Sequence, residues 1–175
     1  GGLLRFSPAR LIPPAPASKL WPMPETAQEP AATKPTEGGR TIPRLWNDAV
    51  AARREGAAYL VQHEDHWHAI TWDEAAERVR QLANGLLALG VRKGDAFCIL
   101  AQTTLEWALF DFALGCVGAI SVPIYANSSA KDAGYVLEHS EAVGVLCQDA
   151  AQLAKVEQVR AGLPGFRHVL TYDDL

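Results

Sequence analysis

The chain has 175 residues, of which 49% are hydrophobic and 21% charged, and its net charge at pH 7 is -4. Length and composition of this kind are typical of one globular domain with an ordinary core. Acidic and basic residues are interspersed, so no basic face indicates nucleic-acid binding and no long acidic run indicates a solvating tail. Nucleic acid is therefore not an expected partner.

Residues 1–40 differ in composition from the rest, because prolines recur at positions 8, 13, 14, 16, 22, 24, 30 and 35 among Ala, Thr and Glu. Proline removes a backbone donor and clashes with a helical turn, so no regular element survives this spacing. We predict a largely disordered leader over residues 1–40 and an ordered region over residues 41–175. The chain starts with Gly1 rather than Met, and no charged start leads into an apolar stretch, so no signal peptide is expected.

The ordered region begins with a short helix in "TIPRLWNDAVAARREG", where Thr41 can cap and Pro43 suits the first turn. Two short strands, "AAYLVQ" and "HWHAIT", flank the polar turn "HEDH" and predict a β-hairpin over residues 58–72. The helix that follows starts with a capping box, Thr71 to Glu74, and stops at Gly90.

Beyond Gly90, apolar runs of strand length alternate with helical patterns. Because parallel strands need crossover connections, this alternation predicts a mainly parallel sheet flanked by helices. Thr103 and Glu106 are spaced as a capping box for the first of these helices, and Ser128 or Ser129 can cap the second. The segments are strand "GDAFCILA", helix "TTLEWALFDFALGCVG", strand "AISVPIY", helix "SSAKDAGYVLEHS", strand "AVGVLC", helix "AAQLAKVEQVRAGL" and strand "RHVLTY".

The run from Trp107 to Ala126 has the length of a membrane span and a single charge, Asp111. Glycine and proline interrupt it and its second half is β-branched, so we predict a buried helix that leads into a buried strand, and no membrane span. The helix is apolar nearly all round, which indicates burial between two layers. We therefore expect Cys98, Cys116, Val122 and Cys147 to be buried. The three cysteines form no C-x-x-C motif and are expected to be free thiols in a reducing cytoplasm.

Motifs that carry chemistry are absent: the chain contains no G-x-x-x-x-G-K-[ST], no G-x-G-x-x-G and no G-x-S-x-G. "RKGD" is interpreted as a turn. His63, His66 and His68 are interpreted as a solvated hairpin tip, because no second cluster completes a metal site. Glu138 and His139 are neighbours on a predicted helix and do not face each other. From the residues alone, no catalytic, cofactor-binding or metal-binding residue is predicted.

Several landmarks nevertheless stand in a specific order: T-W-x-E, L-x-x-L-G-V-x-x-G-D, the E-W pair, G-A-I-x-V-P-I-Y and S-S-A-x-x-x-x-Y-V-L-x-H-S-E. In this order they resemble the amino-terminal part of acyl-adenylate-forming (AMP-binding) enzymes. The corner "PIYANSS" is similar to the long-chain fatty acyl-CoA synthetases among them. The resemblance covers about residues 41–175, which would be a truncated portion of the large amino-terminal domain.

The resemblance implies an ATP-dependent ligase that joins a fatty acid to coenzyme A. A carboxylate attacks the α-phosphate of Mg²⁺-ATP to form an acyl-adenylate, and the thiol of coenzyme A then displaces AMP. In this family a Ser/Thr/Gly-rich loop with a lysine contacts the phosphates, and neither that loop nor another catalytic motif occurs in residues 1–175. The resemblance thus implies that the catalytic residues lie beyond residue 175 and that this chain alone is inactive.

The glycine-free corner "PIYANSS" is interpreted as scaffold. Pro123 is expected to end a strand and Ser128 or Ser129 to cap the next helix, while Tyr125 or Asn127 lining a cleft is the other interpretation. Two further alternatives stay open for the whole chain. One is a small flavodoxin-like domain that binds a nucleotide or flavin through "YANSSA" or "CQDAA", and the other is an α/β domain without a ligand. Because the implied ligase makes a lipid product, we also expect peripheral contact with membranes, although no basic amphipathic helix is seen in the sequence.

Overall fold

A computed structural model describes residues 39, 41–52 and 54–175. The predicted leader, residues 1–40, lies outside the described residues except for Gly39, so its disorder stays a prediction. From Thr41 onwards the described residues belong to one compact unit. Its helices are α1 (Ile42–Ala51), α2 (Trp72–Ala88), α3 (Leu105–Val117), α4 (Ala130–His139) and α5 (Ala150–Glu157), and its strands are β1 (Ala57–His63), β2 (His66–Thr71), β3 (Ala96–Ala101), β4 (Ile120–Tyr125), β5 (Gly144–Cys147) and β6 (His168–Thr171).

The predicted hairpin is confirmed, with β1 and β2 paired antiparallel between Ala57 and Thr71. The predicted capping box at the start of α2 is also confirmed. The backbone N–H of Glu74 donates to Thr71 Oγ1 at 3.2 Å, and the backbone N–H of Thr71 donates to Glu74 Oε2 at 2.8 Å. Gly90 follows the helix at a φ of 89°, a left-handed conformation that favours glycine and ends the helix.

The predicted parallel sheet is confirmed, and its strand order within the described residues is β4-β3-β5-β6. β3 is the central strand and every one of its residues is buried, because a helical layer covers each face. Phe97, Ile99 and Ala101 pack in one cluster with α1, α2 and α3, while Cys98 and Leu100 pack in another with α4 and α5. The alternation along β3 therefore assigns each helix to a face of the sheet.

The expectation that α3 is buried all round is wrong. The buried residues of α3 are Leu109, Phe110, Ala113 and Leu114, whereas Cys116, in its last turn, is exposed. The helix also packs against α1, where Phe112 stacks on Trp46 with ring centroids 4.4 Å apart, but this cover does not reach Cys116. Val122 is half-buried rather than buried, because β4 lies at the edge of the sheet.

Two local predictions on the same helices and strands also need correction. The cap of α3 is Thr104, whose hydroxyl accepts from the backbone N–H of Trp107 at 3.4 Å, and not Thr103. Pro123 does not end β4, which continues to Tyr125. The backbone N–H of Ile120 donates to the carbonyl of Asp95 at 2.8 Å, so Ile120 turns its N–H towards β3. Because successive residues of a strand turn their N–H groups to opposite sides, the backbone nitrogen of position 123 faces away from β3. The missing donor of Pro123 thus falls on the outer edge, where it interrupts no hydrogen bond of the sheet.

Within residues 41–52 and 54–175, no helix is both long enough and apolar enough to cross a bilayer. The run from Trp107 to Ala126 is instead divided between α3 and β4, as predicted.

Candidate functional site

The carboxyl-terminal edge of the parallel sheet is the candidate site. In open α/β sheets, ligands bind at this edge, where the connections after two neighbouring strands leave for opposite faces. Here α3 follows β3 on one face and α5 follows β5 on the other. We call this place the switch-point edge and define it by Gln102, Thr104, Gln148, Asp149 and Tyr172.

A glutamine side chain closes the gap between β3 and β5 at this edge. The backbone N–H of Gln148 donates to the carbonyl of Leu100 at 3.2 Å, one step beyond the paired strands. The side-chain oxygen of Gln148 then accepts from the backbone N–H of Gln102 at 2.7 Å. The side-chain amide of Gln148 therefore replaces a backbone acceptor of β5 and extends the pairing of β3 with β5 beyond the end of β5.

A pair of hydroxyl groups joins the next elements along the same edge. Thr104 Oγ1 and the phenolic oxygen of Tyr172 lie 3.1 Å apart, which connects the first turn of α3 to the end of β6. Burial raises the pKa of Tyr172, and the hydrogen bond with Thr104 opposes this rise only in part. Tyr172 therefore stays a neutral phenol at this edge.

The helices that begin along the edge are capped by their own side chains. Ser129 Oγ accepts from the backbone N–H of Asp132 at 3.1 Å, and Asp149 Oδ1 accepts from the backbone N–H of Gln152 at 2.9 Å. An anion at a helix start needs free backbone donors and no negative charge beside them. Asp149 supplies such a charge, so the start of α5 does not fit the phosphates of ATP.

The strand order β4-β3-β5-β6 is compatible with a flavodoxin-like sheet, but this alternative is not favoured. Its ligand would enter the gap between β3 and β5, which Gln148 fills. In the loops "YANSSA" and "CQDAA", Ser129 and Asp149 already accept from the first-turn backbone N–H groups that an anion would need.

The corner "PIYANSS" is tied to α5. The ammonium group of Lys155 donates to the carbonyl of Ala126 at 2.7 Å and to Gln152 Oε1 at 2.9 Å. A turn closes where the backbone N–H of Ser128 donates to the carbonyl of Tyr125 at 2.9 Å. Ser129, one of the two residues predicted to cap α4, is the cap. Asn127 is exposed and Tyr125 is 83% exposed, so neither lines an enclosed cleft within the described residues. The scaffold interpretation of this corner stays a prediction.

The remaining candidates are not brought together into a site. His66 and His68 lie on β2, and in the part of the chain that the structure describes no group of His, Cys, Asp or Glu side chains has the geometry of a metal site. His139 stacks on Tyr135 with ring centroids 5.5 Å apart and does not act with Glu138. "RKGD" forms the predicted turn, in which the backbone N–H of Asp95 donates to the carbonyl of Arg92 at 3.0 Å.

Two cysteines are buried in the sheet, as expected. Burial raises the pKa of the Cys98 thiol to about 11. It raises the pKa of the Cys147 thiol to about 12, with the charges of Asp149 and Glu157 adding to the effect. Because a thiolate is the reactive form, both side chains act as small apolar groups of the core.

A separate cleft of about 460 Å³ lies between α2, α3 and the end of β6. Leu82, Leu86 and Phe110 line its apolar wall. An ion pair between Arg78 and Glu106, 3.5 Å apart, lies on its rim and joins α2 to the first turn of α3. The cleft has no buried polar group that would orient a small ligand.

Sequence reasoning missed Gln148 and the contact between Thr104 and Tyr172. A glutamine that follows a predicted strand carries no signal of its own. Its position opposite Gln102 follows from β3 and β5 being neighbours, and that strand order cannot be read from the order along the chain.

Comparison with known proteins identifies the family. Residues 47–175 match the AMP-binding enzymes. The chain is 41% identical over 104 residues to the long-chain-fatty-acid–CoA ligase FadD15 of Mycobacterium bovis, across 59% of this chain and 17% of the ligase. It is 30% identical over 126 residues to the uncharacterized protein Rv1549 of Mycobacterium tuberculosis, across 72% of this chain and 65% of that protein.

Among solved structures, the N-terminal domain of FACL13 from Mycobacterium tuberculosis is similar with a TM-score of 0.69 at 20% identity, across 77% of this chain and 34% of that one. The identity is low, so this likeness concerns the fold alone. The chain spans 17% of the length of FadD15, so its match concerns one part of such a protein. Since residues 47–175 match the family and include everything from α1 to β6 except the start of α1, the chain belongs to the AMP-binding enzymes.

Proposed function

We propose that the chain is the amino-terminal part of an ATP-dependent long-chain fatty acid–CoA ligase. The observation that carries the proposal is the 41% identity to FadD15, whose name states this activity. The substrates would be a long-chain fatty acid, ATP and coenzyme A, with Mg²⁺ as the metal. Adenylation followed by thioester formation would take place in the complete polypeptide.

Within that ligase, the described residues act as scaffold. Their helix starts are capped from within, Gln148 fills the gap at the switch-point edge, and Lys155 fixes the corner after β4. Adenylation needs preorganised donors around the α-phosphate, and the loss of a single such donor costs about a hundredfold or more in rate. The chain alone is therefore inactive, and the catalytic residues belong to other parts of the ligase.

A direct assay tests both parts of the proposal. The purified 175-residue chain and the complete polypeptide that contains it are each incubated with ATP, Mg²⁺, palmitate and coenzyme A, and pyrophosphate and palmitoyl-CoA are measured. We expect both products from the complete polypeptide and neither from the chain. Product formed by the chain would contradict the scaffold role, and a complete polypeptide that forms no acyl-CoA would contradict the ligase assignment.

The same proposal places the ligase in the cytoplasm, in peripheral contact with the membranes that receive its product. Fractionation of cells that express the complete polypeptide tests this placement. We expect most of the polypeptide in the supernatant, and a smaller part on membranes from which salt releases it. Recovery only in a detergent-extracted fraction would contradict it.

A further inference from the structure

A histidine at the amino-terminal end of the sheet has a nitrogen without a partner. His168 is the first residue of β6. Its Nε2 is shielded from solvent and makes no hydrogen bond within the described residues. A neutral imidazole tolerates this, because one of its nitrogens carries no proton. An imidazolium carries a proton on both nitrogens and needs an acceptor for each.

The start of β6 lies close to the start of β5. Gly144 of β5 lies beside it, and a Cβ added there would be 2.8 Å from Cβ of His168 and 2.6 Å from the ring of Phe97. The backbone N–H of His168 donates to the carbonyl of Val143 at 3.1 Å, which starts the pairing of β6 with β5. Because the backbone of His168 takes part in this pairing, we expect a displaced ring to disturb it.

The charges around the ring do not compensate an imidazolium. Arg167 and Asp95 are the groups of the described chain whose charges act on His168, and Arg167 disfavours its protonation. Asp95 favours protonation, but its carboxylate is already engaged. It accepts from the backbone N–H of Arg92 at 2.9 Å and pairs with the guanidinium of Arg167 at 3.7 Å.

We propose that His168 is a pH-sensitive element of this fold, whose protonation loosens β6 from β5 and, through β6, the contact of Tyr172 with Thr104 at the switch-point edge. Tyr172 directly follows β6, so a displaced strand moves its phenol. The inference is independent of the proposed ligase activity, because it concerns the fold of this chain alone.

The sign of the effect follows from linkage. Burial first, and Arg167 second, lower the pKa of His168 below its ordinary value, while Asp95 opposes them. The folded state therefore binds this proton more weakly than the unfolded state does. The stability that depends on neutral His168 is present above the ordinary pKa of about 6.5 and is lost as pH falls below it.

An NMR titration of the unaltered 175-residue chain tests the inference first. A spectrum of the His168→Phe variant identifies the His168 ring signal by its absence. We expect the ring to titrate below about pH 6.5 and the amides of β6 and Tyr172 to exchange faster over the same range. A ring that titrates at or above that value, or β6 amides whose opening does not respond to its titration, would overturn the proposal.

Thermal unfolding of two matched variants provides the second test. His139 is also a histidine of the described chain, but it stacks on Tyr135 at the surface, which makes His139→Phe the control for His168→Phe. Between about pH 7.5 and about pH 5, the midpoint temperature of unfolding should fall less in His168→Phe than in the unaltered chain. In His139→Phe it should fall by as much as in the unaltered chain. An unchanged slope in His168→Phe, or an equal flattening in both variants, would overturn the proposal. If His168→Phe does not fold, the ring signal of His168 is assigned by triple-resonance spectra of the unaltered chain, and its titration decides.

Discussion

The side-chain oxygen of Gln148 accepts the backbone N–H of Gln102 at 2.7 Å, in the place where a further residue of β5 would offer its carbonyl. A side chain thus continues the hydrogen bonding of two central strands beyond their last paired residues, Leu100 and Cys147. The switch-point edge of this sheet is closed by the chain itself.

Gln148→Ala should destabilise the chain by about 1 kcal/mol, because the backbone N–H of Gln102 loses its acceptor. Chemical denaturation measures the loss, and hydrogen exchange should show faster exchange of the Gln102 amide. Gln158→Ala is the control, since Gln158 is an exposed glutamine at the end of α5 whose side chain donates to the carbonyl of Ala154 and bridges no strands. Equal effects of the two variants would show that the bridge from Gln148 contributes nothing specific.

Thr71→Ala should destabilise the chain by about 1 kcal/mol, because the backbone N–H of Glu74 loses its acceptor at the start of α2. The two hydrogen bonds from Thr71 also lower the pKa of Glu74, so the contribution of this carboxylate is present above its ordinary pKa and is lost as pH falls through the lowered value. Thr103→Ala is the control, because Thr103 caps no helix. Equilibrium unfolding in urea compares them, and a Thr103→Ala loss as large as that of Thr71→Ala would contradict the assignment of the cap.

Pro123→Val should promote self-association. The backbone nitrogen of position 123 faces away from β3. Valine would therefore place an unpaired N–H on the outer edge of β4, where a strand of another chain could pair. Sedimentation velocity across a concentration series is the measurement. Pro164→Val in the loop before β6 is the control, because it adds no donor to a sheet edge. A Pro123→Val variant with the same sedimentation behaviour as the unaltered chain would show that this proline does not protect the edge.

Gly144→Ala should destabilise the chain by about 1–3 kcal/mol, because the added Cβ would lie 2.6 Å from the ring of Phe97 and force a fully packed core to shift. Gly85→Ala is the matched control. Nothing lies within 4 Å of a Cβ added at Gly85 in α2, so this change should stabilise by about 0.5–1 kcal/mol through the lower entropy of the unfolded chain. Opposite signs in thermal unfolding are expected, and a neutral Gly144→Ala would contradict the close packing of β5 against β3.

Sequence patterns predicted the elements of the fold because each has a local cause. Thr71 and Glu74 specify a helix start by their spacing, and the alternation of apolar runs with helical periods specifies a parallel sheet. The error at Thr103 is also local: two neighbouring threonines both offer a cap, and the backbone conformation that selects Thr104 is set by where β3 ends.

The errors at Cys116 and Pro123 arise from tertiary position. An apolar helix predicts burial, but how far neighbouring elements cover each of its turns depends on the remaining architecture. A proline near the end of a strand predicts termination only if the strand is central. At an edge the same residue is tolerated, and edge position is a property of strand order.

The strand order also matters for the chain while it is being synthesised. β3 leaves the ribosome early, yet one of its two edges pairs with β5, which emerges only after α3, β4 and α4. Until Cys147 is available, a nascent chain carries an apolar strand with an open edge, the kind of surface that pairs with foreign strands. The interval between Leu105 and Val143 is thus the period in which premature arrest of translation would leave the most aggregation-prone product.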